Sequence, residues 1–496
     1  MDVAIDFIGH EDSAWQANPE LALLFRSCWP QTRPTPMTHH LADLVLLNEV
    51  ARRAAGYLQS APDRRVPPSA LAIDALRDLA VPLPDAPSAP QDVLEVLDRV
   101  GSPATVVTTA GRFYGFVIGG ALPASVAASW MAAAWDQNAA LRVMSPAASA
   151  FEDVALDWAR DLLGLPAGSG GALVTGATMA NFAGLAAARH ALLAREGWDA
   201  DNNGLFGAPA LTVVVGEEVH VSLVKALGLL GLGRQRVRRV AVDGQGRMRA
   251  DQLPALDGRT IVCIQAGNVN SGAFDPAREI CERARAAGAW VHVDGAFGLW
   301  AAASPRHRHL IEGFSEADSW ATDGHKWPNV GYDCGVAFVR DPRALQSAMA
   351  MSSAYLPPGE DREPSQFTPE MSRRARGVEL WATLRSLGRS GLADLVDRTC
   401  GHAKRFADGL RERGCDVLNE VVINQVLVSF GSPALTRAVI DGVQQEGTCW
   451  CGGTEWQGRA AMRISVSSWA TTADDVEMSL EAIRRVFDRV RRDESE

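Results

Sequence analysis

Apolar residues recur at helical spacing through LADLVLLNEVARRAAGYL (41–58), which predicts an amphipathic helix early in the chain. The proline-rich stretch VPLPDAPSAPQDV (81–93) breaks this texture and reads as a linker or loop. From about residue 125 to 345, short continuous apolar runs alternate with helical periodicity. GALVTG, ALTVVVGEE, TIVCIQAG, AWVHVDGA and CGVAFVR read as buried strands, with ATMANFAGLAAARHALLA, HVSLVKALGLLGLG and DPAREICERARAAG as helices between them. In the last helix Asp275 can cap, Pro276 suits the first turn and Gly288 suits the exit. Such alternation predicts an α/β domain with a mostly parallel sheet covered by helices on both faces, and ligands at the loops beyond the strands' carboxyl ends. After RARGVELWATLRSLG (375–388) the pattern changes. Helical stretches mix with the strand-like VLNEVVINQVLVSF and AAMRISVSSW, which predicts a smaller α+β domain. The expected organisation is an N-terminal helical arm over 1–124, a large domain over 125–380 and a small C-terminal domain over 381–496.

Composition narrows the function classes. The 496 residues carry 48 Lys and Arg against 59 Asp and Glu, a net charge of −11, with no long basic run. That balance argues against a nucleic-acid partner. No apolar run approaches the ~20 residues of a membrane span, and the first residues lack a basic n-region, so a cytoplasmic protein is expected. The eight cysteines are scattered. Cys449 and Cys451 form the one close pair, with no second Cys/His cluster to complete a zinc site, so no metal is expected and the thiols read as small apolar side chains.

The chain has only three lysines, Lys225, Lys326 and Lys404. A deprotonated lysine amine can attack a carbonyl and form an imine, which arginine cannot do. Lys225 lies in an apolar helical run and Lys404 in a charged one, and both read as ordinary helix lysines. Lys326, in TDGHKWPNVG, lies between the strand-forming region and the next strand. Other useful residues fall at strand ends. Asp294 closes WVHVD and is followed by Gly295 and Ala296. A carboxylate ending a buried strand is costly without a positive partner. His220 follows a strand, and so does Asn268. In TGATMAN (175–181), Gly176, Ala177 and Thr178 open a helix whose free amides and hydroxyl would suit a phosphate. Pyridoxal phosphate would use all of these: an aldehyde for the lysine, a ring nitrogen for the acid, a flat face for an aromatic ring and a phosphate for the helix start.

HVDGAFG followed by DGHKW resembles the signature of the group II pyridoxal-phosphate-dependent amino acid decarboxylases, the family of the aromatic-amino-acid, glutamate and histidine decarboxylases. The resemblance runs from RFYGFVIGG (112–120) to SRRARGVELW (372–381) and takes in SPAASAFEDVALDW (145–158). It implies the fold-type I architecture of pyridoxal-phosphate-dependent transferases and a homodimer in which both subunits build each site. Residue by residue, it implies that Lys326 carries the cofactor covalently, Asp294 pairs with the ring nitrogen and His220 stacks on the ring. Ala296 would pack beneath the ring. Gly176, Ala177 and Thr178 would hold the phosphate with His325, and Asn268 would lie near the ring hydroxyl. Asp323 stands where some relatives have an asparagine near the phosphate.

The implied activity is decarboxylation of an L-amino acid. Phe113, Tyr114 and Phe116 are candidate pocket walls, which favours an aromatic or bulky hydrophobic side chain. In many relatives a mobile loop carries a tyrosine that donates a proton after carbon dioxide leaves. Here the corresponding stretch, LPPGEDREPSQFTPEMS (356–372), has no tyrosine and offers Phe367. Two enzymatic alternatives use the same cofactor: an oxygen-dependent aldehyde synthase and a carbon–carbon lyase. A third reading, a catalytically silent partner-binding relative, sits poorly with the retention of Lys326, Asp294 and His220. His292 shares a strand face with Asp294 and reads as core, and GLLGLG (228–233) lacks the spacing of a dinucleotide site.

Overall fold

The computed structural model describes residues 36–351 and 362–493. Its centre is a seven-stranded sheet in the order β1-β7-β6-β5-β4-β2-β3. The strands are β1 (Gly170–Val174), β2 (Thr212–Gly216), β3 (Arg238–Val240), β4 (Thr260–Gln265), β5 (Trp290–Asp294), β6 (Ser319–Asp323) and β7 (Gly335–Val339). β2 to β6 run parallel, and β7 runs antiparallel to both β1 and β6. The five apolar runs predicted as strands all form. Every residue of β4 and β5 is buried, as a sheet covered on both faces requires. One core centred on Val262, Val293, Trp320 and Trp327 packs on one face, and another of alanines and leucines from Ala177–Arg195 packs on the other.

Two strands escape the apolar pattern. β3 is short, and its two arginines are exposed on the sheet edge. β6 reads SWATD, yet it is wholly buried, with the Ser319 and Thr322 hydroxyls hydrogen-bonded inside. One helix start also differs from expectation. Asp275 does not cap Ala277–Ala286. Its carboxylate instead accepts from the Met248 and Gln265 amides at 2.7 Å each, tying β4 to the turn before it, and Pro276 occupies the cap position. Burial holds the Asp275 carboxyl up at about 6.

A second, antiparallel sheet of four strands, β10-β11-β9-β8, uses β8 (Asp416–Val417), β9 (Gln425–Ser429), β10 (Gly452–Trp456) and β11 (Arg459–Ser465). Its own core is built with helices Pro433–Glu446 and Ala473–Asp493 and the far half of Arg376–Arg411. That long helix breaks at Gly388, whose φ of 59° glycine adopts freely. No described helix is long and apolar enough to cross a membrane.

Two aromatic side chains are not where the sequence placed them. Tyr114 is not a pocket wall: it is fully buried in the small-sheet core, edge-on to Phe406, with its hydroxyl 3.2 Å from Ser479 Oγ. Phe367 is not on a closing loop. It lies in a short turn, Pro364–Phe367, buried in the alanine-rich core with the Arg362 guanidinium over its ring. Arg362 binds Glu152, Asp153 and the Gly171 carbonyl, and the Ser365 amide binds the Ala140 carbonyl, so 362–367 is fastened down. The first part of the expected loop, 356–361, lies outside the described residues.

Candidate active site

The strand ends bring the candidate residues to one crevice. Asp294 ends β5 in register with Ala321 of β6 and with Gln265 of β4. Asp323 ends β6, and its amide donates to the Ala296 carbonyl at 2.9 Å. Three residues on, Lys326 places Nζ 3.1 Å from Asp323 Oδ2. His325 Nε2 is 3.6 Å from the same oxygen, and its Nδ1 accepts from the Cys334 amide at 3.1 Å. Burial pushes the His325 imidazole down, and Tyr332 stacks on its ring with centroids 4.3 Å apart.

Helix Ala177–Arg195 starts against this group. Gly176, at its N-cap, has no side chain to satisfy the first amides. A Cβ on Gly176 would stand 3.1 Å from His325 Cε1 and 3.5 Å from Asp323 Oδ1. On its other side the Gly335 backbone approaches so closely that a Cβ there would be 2.4 Å from Gly176 Cα. Across the crevice a Cβ on Gly119 would lie 1.8 Å from the Lys326 carbonyl oxygen, so glycine alone fits there.

His220 caps helix Val221–Leu229. Its Nδ1 accepts from the Ser222 amide at 3.2 Å, which leaves the proton on Nε2. Burial lowers its pKa. Asp294 and Asp323 raise it, while Lys326 and Arg463 lower it further, which places all four charges within electrostatic reach of His220. Asp294 is 5% exposed, and its two oxygens accept from the Asn181 side-chain amide at 3.2 Å and the Ala296 amide at 3.3 Å. Asn268 is locked by two amides on its Oδ1, from Asn270 at 2.8 Å and Ser271 at 3.2 Å.

Two of these buried polar atoms, Asn268 Nδ2 and Asp323 Oδ1, have no hydrogen-bond partner among the described residues. A buried group without a partner costs free energy, and a bound polar ligand would remove that cost. A lysine, a strand-end carboxylate, a helix start bare of side-chain caps and two orphaned polar atoms together fit pyridoxal phosphate.

Three participants went unrecognised in the sequence reading. Asn181 is the last residue of TGATMAN, one helical turn into the helix. Ser319 lies on the polar strand β6. Arg463 sits in the apolar run AAMRISVSSW, where a lone arginine was the available signal; its side chain reaches Asn270 Oδ1 at 3.3 Å, and burial lowers its pKa. Phe113 and Phe116 both stack on Trp450, at 5.1 and 5.3 Å between centroids.

Fold and crevice together define a fold-type I enzyme that uses pyridoxal phosphate. The sequence profile described as the pyridoxal-dependent decarboxylase conserved domain matches residues 75–431, and the chain belongs to that family. It is 28% identical over 445 residues to tryptophan decarboxylase 1 of Oryza sativa subsp. japonica, covering 81% of this chain and 85% of the relative. It is 27% identical over 389 residues to L-2,4-diaminobutyrate decarboxylase of Acinetobacter baumannii, covering 72% and 74%. The crystal structure of Oryza sativa TDC with PLP and tryptamine superposes with a TM-score of 0.85 at 23% identity, over 92% of this chain and 99% of that one. The protein is a pyridoxal-phosphate-dependent carboxy-lyase acting on an amino acid. Aldehyde synthesis is not the favoured reading, since the family and these curated relatives are decarboxylases.

Proposed function

We propose that the substrate is an aromatic or bulky hydrophobic L-amino acid and that the product is its amine. The observation that carries the assignment of the site is the pairing of the half-buried Lys326 with the buried Asp323, beside a helix start and two polar atoms partnerless among the described residues. The aromatic stack of Phe113, Phe116 and Trp450, a few residues from Gly119, supports the choice of side chain. The tryptophan and tyrosine/DOPA decarboxylases among the relatives support it too.

In this reading Lys326 holds the cofactor covalently, and Asp294 pairs with its ring nitrogen. His220 stacks on the ring, and Ala296 packs beneath it. Gly176, Ala177, Thr178 and His325 hold the phosphate, and the free Asn268 Nδ2 faces the ring hydroxyl. The cofactor supplies an electron sink for the pair left when carbon dioxide departs. Arg463, on β11 and without a carboxylate partner among the described residues, anchors the substrate's own carboxylate. His220 presents Nε2 to the site and, in its imidazolium form, would hold the proton that the α-carbon requires, in place of the loop tyrosine.

The working unit in this proposal is a homodimer. Phe116, Trp130, Met131 and Tyr332 are large side chains 47–62% exposed, which supports a surface covered by a partner. The seven described cysteines are free and buried, in keeping with a reducing compartment, so cytoplasmic residence belongs to the same proposal. The arm, large-domain and small-domain boundaries at 124 and 380 are also part of it.

The test is to incubate holoenzyme with single amino acids while following carbon dioxide, amine, aldehyde and peroxide together. Equal amounts of carbon dioxide and amine from tryptophan, tyrosine or phenylalanine are expected. Turnover confined to acidic or cationic amino acids would overturn the substrate class. Aldehyde with peroxide as the main products would overturn the amine.

A further inference from the structure

Behind Asp294 lies a row of buried side chains that no step above uses. Asn181 Nδ2 is 3.2 Å from Asp294 Oδ2, and Asn181 Oδ1 is 2.8 Å from His292 Nε2. His292 Nδ1 is 2.8 Å from Ser319 Oγ, which also receives the Trp290 indole N–H at 2.9 Å. All five residues are buried, and Asn181, His292 and Ser319 are 0% exposed.

The chemistry of the two ends assigns every proton. An ionised carboxylate only accepts, so Asn181 turns its NH2 to Asp294 and its oxygen to His292. His292 therefore carries its proton on Nε2 and offers a lone pair at Nδ1. At the far end the indole N–H only donates, so Ser319 accepts from Trp290 and gives its own hydroxyl proton to Nδ1. Both ends impose the same polarity on the line. Trp290, Ser319, His292, Asn181 and Asp294 form one line of donors, all pointing the same way and ending on a carboxylate. Burial holds the His292 imidazole down at about 4, so the line keeps this polarity throughout the neutral range. The fold makes room for it: a Cβ on Gly184 would stand 2.8 Å from His292 Cε1, so the ring occupies the space a larger residue would fill.

We propose that His292 is a positioning residue which, through Asn181, holds the Asp294 carboxylate in place and aimed at the cofactor's ring nitrogen. Hydrogen bonds to the charged form favour that form, and donors in series polarise one another. Partners of this kind behind a ligand-holding group typically change affinity by about 10–100-fold. The inference rests on the pairing of Asp294 with the ring nitrogen proposed above.

The experiment uses full-length enzyme reconstituted with 15N-labelled pyridoxal phosphate. It reads the ring-nitrogen shift by NMR and the cofactor dissociation constant by equilibrium titration, in wild type, His292→Leu, His292→Gln, Ser319→Ala and Asp294→Asn. His292→Leu should weaken cofactor binding about tenfold and move the ring nitrogen toward its unprotonated shift. Ser319→Ala should move both readings in the same direction by a smaller amount. His292→Gln keeps a donor toward Asn181 and should restore most of both readings, which a purely space-filling role would not predict. Where His292→Leu fails to fold, Ser319→Ala and His292→Gln carry the comparison. Unchanged readings in the folded His292 and Ser319 variants, with large changes in Asp294→Asn, would overturn the role of the line. Unchanged readings in Asp294→Asn itself would instead overturn its pairing with the ring nitrogen.

Discussion

Gly119→Ala tests how closely the segment before the large domain must approach the lysine. A Cβ at this position would lie 1.8 Å from the Lys326 carbonyl oxygen and 2.8 Å from the carbonyl carbon. Carbon and oxygen normally come no closer than about 3.3 Å, so one backbone must retreat by about 1.5 Å. The Lys326 carbonyl already accepts the Asn329 amide at 3.0 Å, so moving it also loosens the turn that aims the lysine. Overpacking of this kind costs about 1–3 kcal/mol of stability, which a chain of this size tolerates. Misplacing a reacting group by about 1 Å can cost about 10²-fold in rate. The variant should therefore fold, still carry cofactor on Lys326 after borohydride reduction, and lose about 10²-fold or more in kcat/KM for carbon dioxide release. Gly168→Ala is the control, because nothing lies within 4 Å of its Cβ. A Gly119→Ala enzyme within threefold of wild type would refute the reasoning and show that the 119 segment moves freely against the lysine.

Borohydride treatment of the wild type should fix the cofactor on Lys326 and on no other lysine; Lys326→Ala should lose the covalent adduct with an unchanged far-ultraviolet circular dichroism spectrum, and a label on Lys225 or Lys404 would sink the assignment. Asp294→Asn should be far from conservative. Two donors, the Asn181 amide and the Ala296 N–H, face its oxygens, so the new NH2 must meet one of them, at about 1–3 kcal/mol. With the ion pair lost as well, cofactor affinity and kcat should each fall by about 10²-fold; affinity within threefold of wild type would speak against the pairing. His292 should make acid destabilise the fold. Its folded pKa of about 4 lies below the ordinary 6.5, so the unfolded chain binds the proton first and stability drops as pH falls from about 6.5 to about 4. His292→Gln should remove up to about 3 kcal/mol of that loss, read as urea midpoints at pH 7.5 and 4.5; equal losses in the two proteins would contradict it.

The large domain was readable because its parallel strands are buried on both faces and so appear as unbroken apolar runs. β6 was not, since Ser319, Thr322 and Asp323 look like loop residues until their partners on neighbouring strands are known. The chemical residues at strand ends were legible by type and order: Lys326, Asp294, His220 and the TGATMAN turn all come to the crevice. What periodicity could not supply was direction. His292 shares a face with Asp294, but nothing in the spacing says that Asn181 reaches across from another element to join them. Tyr114 and Phe367 were misplaced for a related reason: an aromatic side chain near a motif serves a core as readily as a pocket, and only packing decides.

The reversed strand β7 has a consequence for the order in which the chain assembles. Among the described residues β1 pairs with no strand other than β7, in a register that joins Gly170 to Val339. The helix start at Gly176 is therefore fixed relative to Lys326 only after the chain has run past the lysine and turned back. Contacts so distant in sequence form late, because loop-closure entropy opposes them. Until β7 docks, the two halves of the cofactor's cradle belong to separate pieces of chain. Closing the sheet and creating the binding site are one event, so cofactor present during folding acts as a clamp on its final step and shifts the balance toward the completed sheet.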